Sequence, residues 1–134
     1  MIRFDEPLFN ALPINYFMIE ADPRFTIVAA TDQHLLSIGC TRKSVIGEGV
    51  FDRFPDNPDN KYDNSANLRA SFNYVIEKKQ THLMETLRYD VESVNGFEAK
   101  YWSIINTPYE QDGKLYIINS AIDVTKIYQL TQLN

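Results

Sequence analysis

The 134 residues of this chain are enough for one domain with a single hydrophobic core. Hydrophobic residues make up 44% and charged residues 23%, a composition that excludes a disordered chain. The net charge of −5, without a stripe of basic residues, argues against a nucleic-acid partner. The single cysteine, Cys40, excludes an internal disulfide. No stretch has the length of a membrane span or the pattern of a secretion signal, so we expect a cytoplasmic protein without membrane insertion.

The first half of the chain predicts short elements. Residues 4–12 have apolar positions at helical spacing, which indicates an amphipathic helix. Two apolar runs, residues 16–19 and 25–30, flank a loop with turn chemistry and predict a β-hairpin. A short helix should follow, beginning at a Thr31 or Asp32 cap and ending at Gly39.

The second half predicts one long helix and then a β-meander. The helix covers residues 65–80, with Ser65 as its cap and an apolar stripe that includes Leu68 and Phe72. The segments that follow are extended and joined by Asn-Gly and Asp-Gly, which are strong hairpin signals. They are residues 83–93, 97–106 and 115–122, with turns at Asn95-Gly96 and Asp112-Gly113. This order predicts an α+β fold.

The predicted elements come in the order of two strands, short helices, one long helix and three strands. This order resembles the PAS sensory domain. Three stretches carry the resemblance: "FTIVAATDQHLLSIGCTRKSVIGEGVFDRFPDNP", "NLRASFNYVI" and "YWSIINTPYEQDGKLYIINSAIDVT". The last of them ends in the family's Asp-x-Thr, at Asp123 and Thr125. The chain is most similar to PAS domains attached to bacterial two-component sensor kinases. Thr31 departs from the pattern, because the family usually has Asn there.

The resemblance implies a five-stranded antiparallel sheet in the order 2-1-5-4-3, with helices over one face. Residues 13–125 would form this PAS domain, residues 1–12 a flanking helix, and residues 126–134 the start of a connector helix. Asp123 and Thr125 would relay a signal into that connector. A cavity between sheet and helices could hold a ligand, and its candidate lining residues are Leu35, Leu36, Phe54, Leu68, Phe72 and Ile105.

The function implied is a sensory or dimerisation module of a signal-transduction protein, which we expect to be a sensor histidine kinase. The module itself would not be an enzyme, and it would be covalently linked to an output domain. We expect a homodimer, with Phe4, Leu8, Phe9 and Trp102 as candidate contacts. Alternation along residues 97–106 leaves Trp102 either on the outer surface of the sheet or in the core. The alternative function is a ligand-free structural module that only sets dimer geometry.

The sequence does not identify a cofactor. Cys40 lies in "SIGCTRK", which lacks the reactive-cysteine stretch of the flavin-binding PAS branch, and His82 is a weak candidate for a haem ligand. Neither flavin nor haem is therefore supported. The acidic loop at residues 56–64 lacks the Gly and Glu of a calcium-binding EF-hand, so we predict no metal site. We predict no catalytic residues either, because no nucleophile elbow or phosphate-binding loop occurs.

Overall fold

The computed structural model describes residues 6–59 and 64–131, so the predicted contact residue Phe4 lies outside the described residues. The elements of the N-terminal half are α1 (Glu6–Ala11), β1 (Tyr16–Glu20), β2 (Ile27–Ala30), α2 (Asp32–Ile38), α3 (Arg42–Val45) and α4 (Val50–Arg53). Those of the C-terminal half are α5 (Asn64–Lys78), β3 (His82–Leu83), β4 (Leu87–Arg88), β5 (Val91–Ser93), β6 (Gly96–Glu98), β7 (Tyr101–Gln111), β8 (Lys114–Asp123) and α6 (Thr125–Thr131).

The main sheet is antiparallel and has the strand order β2-β1-β8-β7-β3, with β4 also paired to β7. This confirms the predicted order, 2-1-5-4-3, and the α+β class. Pairing of β7 with β8 is the longest, from Trp102 opposite Asp123 to Gln111 opposite Lys114. Asp112 and Gly113 join these strands with φ of 53° and 77°, which is the pair of positive angles that a tight hairpin turn requires.

The predicted third strand, residues 83–93, is broken. Its first part forms β3 and β4, which both pair with β7, whereas β5 leaves the sheet and pairs with β6 in a separate ribbon. Between β4 and β5, the Asp90 carboxylate is buried and accepts hydrogen bonds from Arg88 and Asn57. A buried carboxylate needs such partners, and Asp90 lies where the pairing with β7 ends and β5 begins.

Helices α2 to α5 cover one face of the sheet, here called the inner face. Its core combines strand residues with residues from all four helices: Phe17, Ile19, Ile27, Ile117, Leu35, Val45, Val50, Leu68, Phe72 and Val75. The outer face is covered near β1 and β2 by α1, where Phe9 packs with Met18, Ala29 and Tyr116. Farther along the outer face, three apolar side chains stay exposed, and we call them the outer patch: Leu83, Ile105 and Ile122.

Helix α2 has the predicted cap residues. The Thr31 hydroxyl accepts from the backbone N–H of His34 at 3.3 Å, and Gly39 ends the helix with φ of 67°. Thr31 also accepts from the Tyr16 backbone N–H at 3.1 Å, so it joins the helix to β1. Among the described residues, no helix has the length and apolar character needed to cross a bilayer.

A cavity at the inner face of the sheet

A cavity of about 80 Å³ lies between the inner face and the helices. Its walls are mostly apolar or aromatic: Phe17, His34, Ile38, Val50, Phe54, Leu68, Tyr89, Asp90, Val91, Trp102, Ile104, Asn119 and Ala121. Pockets that bury drug-sized ligands are larger, roughly 300–1,000 Å³. In this conformation the cavity therefore suits a small molecule.

Of the predicted lining residues, Phe54 and Leu68 line this cavity. Leu35 and Phe72 are buried in the adjoining core but do not line it. Leu36 points to solvent with 78% of its surface exposed, so its prediction was wrong. The buried stripe of α2 is Thr31, His34, Leu35 and Ile38, which is the i, i+3, i+4, i+7 pattern. That spacing could have identified His34 from the sequence.

The structure places Trp102 on the inner face of β7, which is the core alternative that the sequence left open, and it places Ile105 on the outer face, against its prediction as a lining residue. Trp102 was a candidate dimer contact, but it is 4% exposed, lines the cavity and donates from Nε1 to the Tyr89 carbonyl at 3.0 Å. Ile105 was a candidate lining residue, but it belongs to the exposed outer patch. Both faces of this segment carry apolar residues, so the alternation of side chains alone does not show which face turns towards the core.

His34 is a buried histidine without a hydrogen-bonding partner at its Nδ1 atom among the described residues. Its ring meets Phe17 edge-on at 4.2 Å between centroids and lies 6.2 Å from the Trp102 ring. Burial lowers the pKa of His34 to about 4, because the charged form loses its hydration. The imidazole is therefore neutral near pH 7, with one nitrogen able to donate and the other to accept.

Asp90 is the charged residue of the cavity wall, and its carboxylate is compensated. Arg88 donates to it through Nε at 2.9 Å and through Nη2 at 3.2 Å, and Asn57 donates through Nδ2 at 2.9 Å. Burial raises the pKa of Asp90, but these hydrogen bonds and the Arg88 charge outweigh burial and leave the pKa below its ordinary value. Asp90 therefore stays ionised and paired.

A second polar feature, here called the polar chain, runs from the cavity wall to the edge of the sheet. Asn119 donates to Asn106 at 2.8 Å, and Asn106 donates to the Ser71 hydroxyl at 2.8 Å. The Ser71 hydroxyl lies 2.7 Å from Nδ1 of His82, which is half-buried and whose ring centroid lies 5.0 Å from that of Tyr74, with the two rings tilted by 44°. The sequence does not indicate this chain, because its residues come from β8, β7, α5 and β3.

This architecture occurs in several solved structures. An LOV protein from Rhodobacter sphaeroides is 17% identical with a TM-score of 0.69, covering 89% of this chain and 64% of that one. The PAS domain of an HTR-like protein from Haloarcula marismortui is 15% identical with a TM-score of 0.61, covering 88% of this chain and 92% of that one. The PAS domain of nitrogen regulation protein NR(II) from Vibrio parahaemolyticus is 10% identical with a TM-score of 0.66, covering 91% and 99%.

The chain has the PAS fold. No protein-family model matches it, and neither does any curated protein. The chain spans 64% of the LOV protein and nearly all of the two PAS domains.

At the C-terminal end of the PAS fold, Asp123 and Thr125 form the predicted junction. Thr125 donates to Oδ1 of Asp123 from its backbone N–H at 2.9 Å and from its hydroxyl at 2.5 Å. The same hydroxyl accepts from the Tyr101 backbone N–H at 2.9 Å. Burial raises the pKa of Asp123, but the hydrogen bonds from Thr125 and the charge of Lys100 leave it below its ordinary value.

The remaining candidates have structural environments. Cys40 is half-buried, and Arg53 donates to its sulfur at 3.2 Å. Asp56 accepts from the Ser65 backbone at 3.1 Å, while the Ser65 hydroxyl, the predicted cap, meets the Tyr89 hydroxyl instead. Within residues 6–59 and 64–131, no three His, Cys, Asp or Glu side chains are close enough to hold a metal ion. Phe9, a residue of α1, is buried against the outer face of the sheet, and Leu8 is 61% exposed.

Proposed function

We propose that this chain is a sensory PAS module of a cytoplasmic signal-transduction protein. Its cavity would take up a small ligand, and α6 would pass the resulting change to a covalently linked output domain, such as that of a sensor histidine kinase. The fold match with the PAS domain of a nitrogen regulation protein supports this assignment.

The position of Trp102 carries the proposal. Its indole lines the cavity, while its backbone pairs with Asp123 at the end of β8. The neighbouring residue, Tyr101, is held by the Thr125 hydroxyl and stacks on Tyr128 of α6 at 4.0 Å. A ligand that moves Trp102 would therefore disturb the first turn of α6. For transmission, the ligand must bind two conformations of this junction with different affinities.

We propose further that the module has no catalytic activity of its own. Ser71 and His82 resemble a nucleophile and its base, with 2.7 Å between Oγ and Nδ1. However, Ser71 is 2% exposed, does not line the cavity and already accepts from Asn106. A substrate would have no access to its hydroxyl, which supports a structural role for this pair.

Trp102 makes the sensory proposal testable, because it is the single tryptophan of the chain. Toluene, an apolar probe, would be titrated while Trp102 fluorescence reports on the cavity and hydrogen exchange reports on residues 125–131. We expect both signals to change with the same midpoint. Thr125→Val, which keeps the side-chain shape but removes the hydroxyl, should retain the fluorescence change and lose the change in α6. Fluorescence that responds while wild-type α6 does not would contradict transmission.

A ligand-free role in dimer geometry is the second candidate, and the outer patch favours it. Leu83 is 66% exposed, Ile122 57% and Ile105 36%, and they lie on neighbouring strands. Adjacent exposed apolar side chains on a sheet favour burial by another surface. We propose that a second copy of the chain covers this patch.

A further inference from the structure

The described residues in the cavity wall restrict the charge of a ligand. Asp90 is the one formally charged residue among them, since burial keeps His34 neutral near pH 7. An anion would therefore meet no cationic wall residue, and it would face a carboxylate. A cation would meet a carboxylate whose two oxygens already accept from Arg88 and Asn57. Because a buried charge needs a partner, the wall favours a neutral molecule.

The apolar part of the wall favours a hydrocarbon or aromatic body. Phe17, Phe54 and Trp102 contribute rings to the cavity, and the Phe17 and Phe54 rings stack on each other at 5.8 Å. Tyr89 adds a fourth ring, but its hydroxyl is already bonded to the Phe54 carbonyl and to Ser65. Aromatic walls of this kind pack best against flat or compact apolar groups.

His34 supplies a polar atom that the fold leaves unused. Its Nδ1 is buried and has no hydrogen-bond partner among the described residues, and the residue as a whole is only 4% exposed. A buried polar atom in this state destabilises the empty protein, and a ligand that bonds to it would remove the cost. Asn119, by contrast, already donates to Asn106.

We propose that the cavity selects small, neutral, mainly apolar molecules that carry one hydrogen-bonding group, such as phenols, and that His34 recognises this group. This inference rests on the proposed function, because it names the ligand class of the same cavity. A hydroxyl suits His34 because it can donate to whichever ring nitrogen is unprotonated or accept from the one that carries hydrogen.

Phenol and toluene, which differ by a hydroxyl in place of a methyl group, provide the test. Affinities of the whole chain would be measured by calorimetry and by Trp102 fluorescence. We expect roughly a tenfold preference for phenol in the wild type, which corresponds to one satisfied buried hydrogen bond. His34→Leu should lose the preference and keep toluene binding. His82→Gln, a change to the other histidine and outside the cavity, should keep the preference.

The outcomes separate the two proposals. Toluene and phenol binding with equal affinity in wild type and in His34→Leu would overturn the role of His34 and leave a ligand-binding cavity. Absence of binding by either probe would overturn the ligand class and the sensory function together. A measurement on the wild type alone covers the case in which His34→Leu does not fold. In that measurement, phenol should shift the ¹⁵N resonances of the His34 ring and toluene should leave them nearly unchanged, while equal shifts would contradict the proposal.

Discussion

The polar chain and His34 both lie against the inner face of the sheet, but their hydrogen bonds differ. In the polar chain, Asn106 is completely buried, and its side chain accepts from Asn119 and donates to Ser71. His34 is almost as deeply buried, yet its Nδ1 has no partner in the described part of the chain. The polar chain joins four elements, β8, β7, α5 and β3, whereas His34 lines a cavity.

This difference separates polar residues that specify the fold from a polar residue available for binding. Asn106 fixes how β7, β8 and α5 meet, because any other arrangement would leave its amide unpaired in the core. His34 fixes nothing through Nδ1, and it reduces stability as long as that atom stays unpaired. Replacing each residue should therefore change stability in opposite directions.

Asn106→Ala should have the largest effect. It leaves the Asn119 amide and the Ser71 hydroxyl with one partner fewer, and we expect the free energy of unfolding to fall by about 4 kcal/mol. Urea denaturation would measure it. Ser103→Ala, a change on the outward side of the same strand, is the control and should cost less than about 1 kcal/mol. Equal losses for both variants would contradict the structural role of the polar chain.

The second largest effect on stability should come from lowering the pH, and it should act through His34. The unfolded chain takes up a proton at this residue below pH 6.5, whereas the folded chain does so only near pH 4. The unfolded state thus binds more protons in this window, and the titration of His34 should contribute a loss of about 3 kcal/mol to the wild type between pH 7 and pH 4.

His34→Leu serves as the control, because it has no imidazole to titrate. Between pH 7 and pH 4 its free energy of unfolding should therefore fall by about 3 kcal/mol less than that of the wild type. At pH 7 the same variant should be more stable than wild type by about 1 kcal/mol, since it removes an unpaired buried atom. Denaturation curves for both proteins across this pH range would measure these differences. Parallel pH profiles would show that His34 is not buried as a neutral group.

The outer patch should have the smallest effect on stability. Replacing Ile105 and Ile122 together by Lys should change the free energy of unfolding by no more than about 0.5 kcal/mol per site, because both are already exposed. Self-association, measured by sedimentation velocity, should decrease. Val94→Lys is the matched control, since Val94 is fully exposed in the β5–β6 turn. A wild type that stays monomeric, or a patch variant that associates equally, would contradict the dimer proposal.

Local chemistry made much of the fold predictable. Asn95-Gly96 and Asp112-Gly113 sit at the hairpin turns because their backbones need positive φ, at Gly96 and at both residues of the second pair. Thr31 and Gly39 bound α2 because the ends of a helix need a side-chain acceptor and a left-handed residue. These requirements are local to one turn or one helix end, so the residue type at that position is enough to indicate them.

The candidate site was less predictable, because it depends on which face each strand turns inward. Trp102 and Ile105 lie on opposite faces of β7, as alternation predicts, but both faces of this segment carry apolar residues, so the pattern does not indicate which face turns towards the helices. Asn106, Ser71 and His82 meet only through tertiary packing, and no spacing along the chain indicates that they form one network.

The stack of Tyr128 on Tyr101 also fixes the rotational setting of α6. Their rings lie 4.0 Å apart and only 15° from parallel, so the first turn of the helix has a defined orientation on the sheet. Ile127 and Leu130, which are 64% and 55% exposed, consequently point in one direction relative to the cavity wall. One inserted residue after Tyr128 would turn Leu130 by about 100° around the helix axis while leaving Ile127 in place. The spacing between Ile127 and Leu130 therefore determines whether the two side chains form one apolar stripe on α6.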